Sequence, residues 1–205
     1  MKLIAFVLAI IFLLAACGGD PRQAIVRVGF DEIVYQPGTP FFHETTLEGL
    51  ESRASNIVRG RIGNDAHTMF QFDDIDEPTR PQRGYTFVSL EITEVIKGDL
   101  AAGSTITIIE PYYIIDGTLY TRSHYLPSTP GVEYFFFLGS QLSDLAPDGF
   151  EGAYGVLHSE RGRYLVTRNI ENLQAYDVQY RYLGTRANVE LYMRLWREVL
   201  EAYMR

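Results

Sequence analysis

The segment that most constrains the fold of this chain is residues 85–96, where apolar and polar side chains alternate. The apolar positions are Val88, Leu90 and Ile92, and the polar ones between and after them are Ser89, Glu91 and Thr93. A period of two is typical of a β-strand with one buried and one solvated face. The alternation breaks at residues 94–96, which predicts a bulge or bend at the end of this strand.

Several other segments carry strand patterns, bounded by glycine, proline and polar residues. Strands are predicted at residues 56–63, 104–110 and 132–138, the last apolar on both faces and therefore central. Residues 154–158 and 163–167 predict a hairpin joined through Arg161 and Gly162. Alternation at residues 176–182 predicts a final strand, and residues 24–35 predict one or two extended segments. Gly98 and Gly103 are predicted to lie in a hairpin turn, and the polar residues 64–84 in a surface loop or wide hairpin connection.

Two segments instead show helical spacing. Leu47, Leu50 and Ala54 follow Thr45 and Thr46, either of which suits an N-cap, so a short helix is predicted over residues 47–55. Residues 188–205 repeat apolar side chains at helical spacing and carry opposite charges four positions apart, which predicts a C-terminal amphipathic helix packed on the sheet. The fold class predicted is mainly β, a small barrel with one short internal helix and a C-terminal helix. A β-sandwich is the alternative.

The beginning of the chain predicts export and lipid attachment. Lys2 precedes 14 uncharged, mostly apolar residues, a run too short to span a bilayer and typical of a signal peptide. Leu14-Ala15-Ala16-Cys17 resembles the lipobox of bacterial lipoproteins, which implies a diacylglyceryl group on Cys17 and cleavage before it. Cys17 is the only cysteine, so an intrachain disulfide is impossible. The predicted organisation is a signal peptide at 1–16, a lipidated tether at 17–23, a barrel-like domain at 24–187 and the helix at 188–205.

Charge narrows the classes of partner. The chain has a formal net charge of −8 and no basic stripe, which argues against nucleic-acid binding and against electrostatic attachment to anionic lipid. The predicted partners are the membrane, through the lipid on Cys17, and an envelope protein or glycan. The predicted location is the cell membrane or the outer membrane, facing away from the cytoplasm.

From Leu50 to Val166 the chain resembles a family of uncharacterised bacterial envelope lipoproteins. The matching motifs, in one-letter code, are SNIVRGRI at 55–62, YTF at 85–87, ITEVIKG at 92–98, ITI at 106–108 after Gly103, PGVEY at 130–134, FL at 137–138 and GRY at 162–164. The resemblance implies a closed barrel of the OB or netrin (tissue-inhibitor) type. Such barrels carry many unrelated functions, so the resemblance implies no activity.

Side chains that could carry chemistry are scattered. His43, His67, His124 and His158 lie singly, without a metal-ligand spacing, and neither a metal nor a cofactor is predicted. The acidic residues at 73–77 lack the glycine of a calcium loop and are expected to be solvated. Glu91, Glu94 and Glu110 are candidates for acid–base chemistry on wall polymers, but strand carboxylates usually lie on a solvated face.

A tyrosine-rich segment between two strands is the candidate binding patch. It contains Tyr112, Tyr113, Tyr120, Arg122 and Tyr125. Exposed tyrosines beside an arginine are typical of protein- or glycan-binding surfaces, whereas tyrosines at the rim of a small barrel would be structural.

The function predicted from these features is a membrane-anchored, non-enzymatic binding module of the cell envelope. Two alternatives are an inhibitor of envelope proteases and an enzyme acting on wall polymers. Tissue inhibitors use an N-terminal cysteine to reach the catalytic metal, and a lipidated Cys17 could not act in that way.

Overall fold

The computed structural model describes residues 32–36, 44–71, 83–122, 124–143, 149–157, 161–176 and 185–204. The predicted signal peptide, Cys17 and the tether lie outside these ranges. So do His43, His158, the acidic residues at 73–77 and most of the strand predicted at 176–182.

The chain is mainly β, as the sequence predicts. The strands are β1 (Glu32–Gln36), β2 (Asn56–Ile62), β3 (His67–Gln71), β4 (Arg83–Lys97), β5 (Thr105–Glu110), β6 (Tyr112–Ile115), β7 (Thr118–Arg122), β8 (Glu133–Gln141), β9 (Tyr154–Val156) and β10 (Arg163–Leu165). The helices are α1 (Leu47–Arg53), α2 (Ile170–Tyr176) and α3 (Arg186–Tyr203).

Five strands close into a barrel of the OB-like type. Around the ring the order is β8, β2, β4, β5 and β9, and β9 returns to pair with β8. All neighbours are antiparallel except β5 and β9, which are parallel and joined at Ile108–Tyr154 and Ile109–Gly155. Because the ring is closed, the sandwich alternative does not hold, and these five strands have no long unpaired edge.

The alternation in β4 places one set of side chains inside the barrel. Leu90 pairs with Ile106 of β5, and Val58 of β2 pairs with Phe136 of β8, so these apolar side chains share the inner face. The register between β2 and β4 shifts twice near residues 93 and 96 of β4, which confirms the bulge that the broken alternation predicts. The bulged end of β4 is followed by Gly98 and Gly103, both with positive φ, in the predicted β4–β5 turn.

The hairpin predicted from residues 154–158 and 163–167 is wrong. β9 and β10 do not pair with each other; both lie antiparallel to β8, one after the other along the same edge. The backbone of Phe137 bonds to the residues that flank both strands, since its carbonyl accepts from Leu157 N–H, just after β9, and its N–H donates to Gly162 O, just before β10. Two short strands with a glycine between them resemble a hairpin in sequence, but β8 is long enough to pair with both.

Two further predictions need correction. Residues 64–84 were predicted to be a surface loop or a wide hairpin connection; they contain β3, which pairs antiparallel with the start of β4, so the hairpin alternative holds and the loop alternative is wrong. Tyr176, predicted to begin the last strand, instead ends α2, a helix that the sequence analysis did not predict. α2 is short, and the buried Leu173 is its contact with the core.

The two predicted helices are present and cover the outer face of the barrel. Thr46 caps α1 by accepting from Gly49 N–H at 3.1 Å, as predicted. α3 buries six residues, and Trp196 Nε1 donates to Leu165 O of β10 at 3.0 Å. Tyr203, near the end of α3, contacts the ring of Phe135 on β8. The prediction that the aromatic stripe of α3 packs on the sheet is confirmed.

A second, three-stranded sheet lies against one end of the barrel. Its order is β1, β7 and β6, with β1 parallel to β7 and β6 antiparallel to it. Tyr112, Leu119, Tyr125 and Leu126 form the buried cluster that holds this sheet to the barrel. The small sheet therefore carries most of the tyrosine-rich segment that the sequence analysis singled out.

Candidate binding surface and the buried network beside it

The small sheet divides the predicted tyrosine patch between its two faces. Tyr113 of β6 pairs directly with Tyr120 of β7, and Arg122 follows Tyr120 by two residues on the same face. Tyr112 and its partner Thr121 lie on the opposite face, turned toward the barrel. Tyr125 stacks on Tyr112, with ring centroids 6.5 Å apart.

One face of the divided patch is extended by two aromatic residues that the sequence analysis did not include. The rings of Tyr113 and Tyr120 stack almost parallel, 4.9 Å apart, and Phe70 of β3 meets Tyr113 edge to face at 5.8 Å. Arg122 donates to the hydroxyl of Tyr85 at 2.9 Å and lies over its ring. Phe70, Tyr85, Tyr113, Tyr120 and Arg122 are called the aromatic surface below.

The aromatic surface is only partly open to solvent. Phe70 is 37% exposed, and Tyr85, Tyr120 and Arg122 are half-buried. Tyr112, Tyr113 and Tyr125 are all buried, which fits the structural alternative for these three tyrosines and not an exposed patch. Tyr113 is buried because its ring fills the space over Gly84, where a Cβ would lie 2.5 Å from Tyr113 Cγ.

The other face of the small sheet lies next to a buried ion pair. Glu110 and Arg163 are both 1% exposed, with Arg163 Nη1 3.3 Å from Glu110 Oε1. Glu110 also accepts from the hydroxyl of Tyr125 at 2.5 Å, and from both the hydroxyl and the backbone N–H of Ser128. Arg163 Nη1 donates to Leu126 O at 3.0 Å. The Glu110 carboxylate and Arg163 Nη1 are therefore paired and hydrogen-bonded, which offsets the cost of burying the two charges.

Aromatic rings complete this network. The guanidinium of Arg163 lies 4.9 Å from the ring centroids of both Tyr125 and Tyr134, which adds two cation–π contacts. Burial raises the pKa of the Tyr112 phenol, and the nearby Glu110 carboxylate raises it further. Burial likewise raises the pKa of Tyr125, so both phenols stay protonated and can donate at neutral pH.

Glu110 departs from the expectation that strand carboxylates lie on a solvated face. Its register partner is Thr86, and both side chains are buried. With 1% exposure, Glu110 does not meet a substrate in this arrangement. Glu91 is exposed, as the alternation of β4 predicts, and Glu94 is exposed because the bulge at Thr93 breaks the alternation.

A partly solvated ion-pair group lies on the outer wall of the barrel. Arg59 of β2 contacts Glu133 at 2.6 Å and Glu94 at 3.9 Å. Burial opposes ionisation of Glu133, but hydrogen bonds from Arg59 and from Thr93 outweigh it and lower the pKa of this carboxyl. These side chains mainly bond to one another, so the group has a structural role in the wall.

The two described histidines do not form a metal site. His67 stacks on Phe87 at 5.6 Å, and His124 has a positive φ and contacts the ring of Tyr35. Across the described residues, no group of three or more histidine, cysteine or acidic side chains is placed to hold a metal ion.

A shallow groove of about 410 Å³ lies between α1, the bulged end of β4 and the end of α3. Its lining residues are Glu48, Glu51, Ser52, Ile57, Ile96, Lys97 and Tyr203. Lys97 donates to the carbonyls of Glu51 and Ala54 at 2.6 Å each, so its ammonium group binds the last turn of α1. The one lysine of the groove is thus used in a contact within the chain.

Phe70 and Tyr85 could have been found from the sequence only with the pairing of β3 known. Phe70 belongs to a segment interpreted as loop, and Tyr85 begins the strongest predicted strand. Their shared position follows from β3 lying beside β4, with Phe70 opposite Gly84. Arg163 carried one signal in the sequence, because it is a charged residue at the start of the predicted strand at 163–167.

Comparison with known proteins leaves the family open. No protein-family model matches the chain, and no curated protein sequence matches it. In the part of the chain that the structure covers, none of the helices is both long and apolar enough to span a membrane.

Proposed function

We propose that this chain is a lipid-anchored, non-enzymatic interaction module of a bacterial envelope, which contacts its partner through the aromatic surface. The observation that carries the proposal is that surface itself. It combines stacked tyrosine rings, an exposed phenylalanine and an arginine on rigid strands.

The residue types of the aromatic surface favour binding. Tyrosine and arginine are enriched at the energetic centres of interfaces, where a flat ring buries apolar area and its hydroxyl still finds a hydrogen-bond partner. Half-buried Tyr120 and Arg122 need little ordering on binding because their neighbours already restrict them.

The barrel supplies the rigid support that such a surface needs. Tyr113 is fixed between Gly84, Phe70 and Tyr120, and on the other face Tyr112 is held beside the Glu110–Arg163 pair. A site built on strands and braced from behind keeps its geometry better than one on a loop.

The anchor part of the proposal rests on the sequence. Cys17 follows a charged start, an apolar run and Leu-Ala-Ala, and it is the only thiol in the chain. Two or more acyl chains hold a protein on a bilayer where a single chain does not.

Mass spectrometry of the mature N-terminus tests the anchor. The expected result is a peptide that begins at Cys17 and carries a diacylglyceryl group. Cys17→Ser should prevent both the modification and membrane fractionation. A mature chain with an unmodified Cys17 would contradict this part of the proposal.

Position-specific photo-crosslinking in intact cells tests the surface. A photoreactive residue replaces Tyr120, and the matched control replaces Thr107, which is exposed on β5 of the same barrel. Discrete adducts at position 120 that weaken with Phe70→Ser are expected, whether the product contains protein, glycan or lipid. Equal labelling at both positions would count against the aromatic surface as the site.

A further inference from the structure

A β-bulge helps to form the groove between α1, the end of β4 and the end of α3. Ile57 of β2 pairs with Lys97 of β4, and the next residue of β2 pairs with Val95. Ile96 is therefore the extra residue of the bulge, and such a residue leaves the regular alternation of its strand. Together with Ile57 and Tyr203, Ile96 gives the groove a mainly apolar floor.

One side of the groove is an acidic rim, formed by Glu48 and Glu51 of α1. These two residues are three positions apart, so they lie on the same face of the helix, and that face lines the groove. Glu51 accepts from the hydroxyl of Tyr203. Burial raises the pKa of this phenol, and Glu51 raises it further, so the phenol stays protonated and holds the Glu51 carboxylate at the rim. The Glu48 side chain is exposed.

The charge of Lys97, the one cation that lines the groove, is directed at the end of α1. Its ammonium group donates to the backbone carbonyls of Glu51 and Ala54, where a cation is favoured by the partial negative charge of a helix C-terminus. Among the described residues, neither Glu48 nor Glu51 has an ion-pair partner. The groove therefore combines an apolar floor with two carboxylates that can still receive a cation.

We propose that this groove docks a basic segment of a partner protein, whose lysine or arginine side chain lies on the apolar floor with its charged end at the acidic rim. This goes beyond the proposed function, because the groove is a second interaction surface that needs neither the aromatic surface nor the lipid on Cys17. The two surfaces lie toward opposite ends of β4, since Tyr85 is near its first residue and Ile96 near its last.

The chemistry of the groove suits that occupant. Lysine and arginine side chains combine an apolar stem with a charged end, which matches the floor and the rim. An inorganic cation would leave the apolar floor uncovered, and no group of side chains among the described residues is placed to hold a metal ion. The rim and the formal net charge of −8 disfavour nucleic acid and other anionic ligands.

The test uses the mature protein as it is purified from cells, in a non-ionic detergent, with isotope-labelled isoleucine methyl groups observed by NMR. The probe is a six-residue peptide of alternating lysine and leucine. Its titration should shift the methyl signals of Ile57 and Ile96 to saturation and leave that of Ile114, on the small sheet, unchanged. A peptide with glutamate in place of each lysine should not bind, because the rim repels it.

Two variants separate the rim from the floor. Glu48→Gln removes one rim charge and should raise the Kd of the lysine–leucine peptide about fivefold. The matched control is Glu171→Gln, which removes an exposed carboxylate from the first turn of α2 and should change the Kd by less than about twofold in physiological salt. Ile96→Thr keeps the β-branch but makes the floor more polar, and it should raise the Kd about threefold. Circular dichroism checks that each variant is folded.

Three results would overturn the proposal. The first is an equal Kd for Glu48→Gln and Glu171→Gln, a comparison of two exposed positions that does not depend on the folding of Ile96→Thr. The second is a shift at Ile114 as large as those at Ile57 and Ile96, or no saturating shift with millimolar peptide. The third is equally tight binding of 1,5-diaminopentane, which would identify a free amine as the ligand instead of a protein segment.

Discussion

Removal of one partner from the Glu110–Arg163 pair should destabilise the fold far more than removal of an exposed carboxylate. Glu110→Gln keeps the size and shape of the side chain, and its amide oxygen can still accept from Tyr125 and Ser128. It leaves the Arg163 guanidinium buried at 1% exposure without a counter-charge. Breaking a buried pair in this way costs about 3–5 kcal/mol.

Urea unfolding followed by circular dichroism measures this loss. With a slope of about 2 kcal/mol per molar urea, the midpoint should fall by about 1.5–2.5 M. The matched control is Glu94→Gln, whose carboxylate is half-exposed and 3.9 Å from Arg59. Exposed pairs contribute about 0–1 kcal/mol, so the control should move the midpoint by less than about 0.5 M.

A double variant shows whether the loss comes from the unpaired charge. Glu110→Gln with Arg163→Met removes both charges, and it should lose about 2–3 kcal/mol less than the sum of the single variants. Recovery is incomplete because Leu126 O loses its donor. Strict additivity, or a Glu110→Gln midpoint no lower than that of Glu94→Gln, would refute the reasoning.

Three further predictions concern parts of the fold distant from that pair. The Glu133 carboxyl has a folded pKa below its ordinary value of 4.5, so its contribution to stability is present above that pH and is lost as the pH falls through the folded pKa. The urea midpoint of the Glu133→Gln variant should therefore depend less on pH than that of the unchanged protein between neutral pH and about pH 3. Trp196→Phe removes a buried indole N–H donor to β10 and should cost about 1–2 kcal/mol in a thermal melt followed by circular dichroism. Gly98→Ala should lower the free energy of unfolding in urea more than Gly103→Ala, because both glycines have positive φ but a Cβ at 98 collides with Asn56 whereas a Cβ at 103 meets open space. Equal losses of free energy would show that the strain of the positive φ, and not the collision, sets the cost.

The parts of the fold that follow from local pattern could be predicted from the sequence. The alternation in β4, the cap at Thr46 and the spacing of apolar residues in α3 are properties of neighbouring residues. The alternation and the helical spacing fix which face of an element is buried, and the cap fixes where α1 begins, each without reference to the element that packs against it. The bulge near residue 96 was predictable for the same reason, since a bulge interrupts the alternation within one strand.

Pairings between distant segments were harder to predict. β9 and β10 have the length and punctuation of a hairpin, but the choice between pairing with each other and pairing with β8 depends on how far β8 extends. β3 was missed because a short strand in a polar region gains its stability from the start of β4 and not from its own residues.

In the candidate site, too, contacts between neighbouring residues were predictable and contacts between distant segments were not. Tyr113, Tyr120 and Arg122 were selected correctly as neighbours, because a tight β6–β7 hairpin keeps local residues together. Tyr112 lies on the opposite face from Tyr113, since adjacent residues on a strand point to opposite faces, and Tyr125, which follows β7, stacks on Tyr112. Arg163 is far from Glu110 in sequence, and nothing local to either residue indicates the pair.

The parallel junction between β5 and β9 determines how this barrel can open. It closes the ring with two residue pairs, Ile108–Tyr154 and Ile109–Gly155, and the junction of β9 with β8 also has two, whereas β4 pairs with β2 and β5 over six pairs each. Its two strands are also far apart in sequence, so their meeting carries the entropy of closing a long loop. In native-state hydrogen exchange the amides at the two junctions of β9 should exchange earliest among the barrel strands, because the ring can open there while the ladders that join β8, β2, β4 and β5 stay intact.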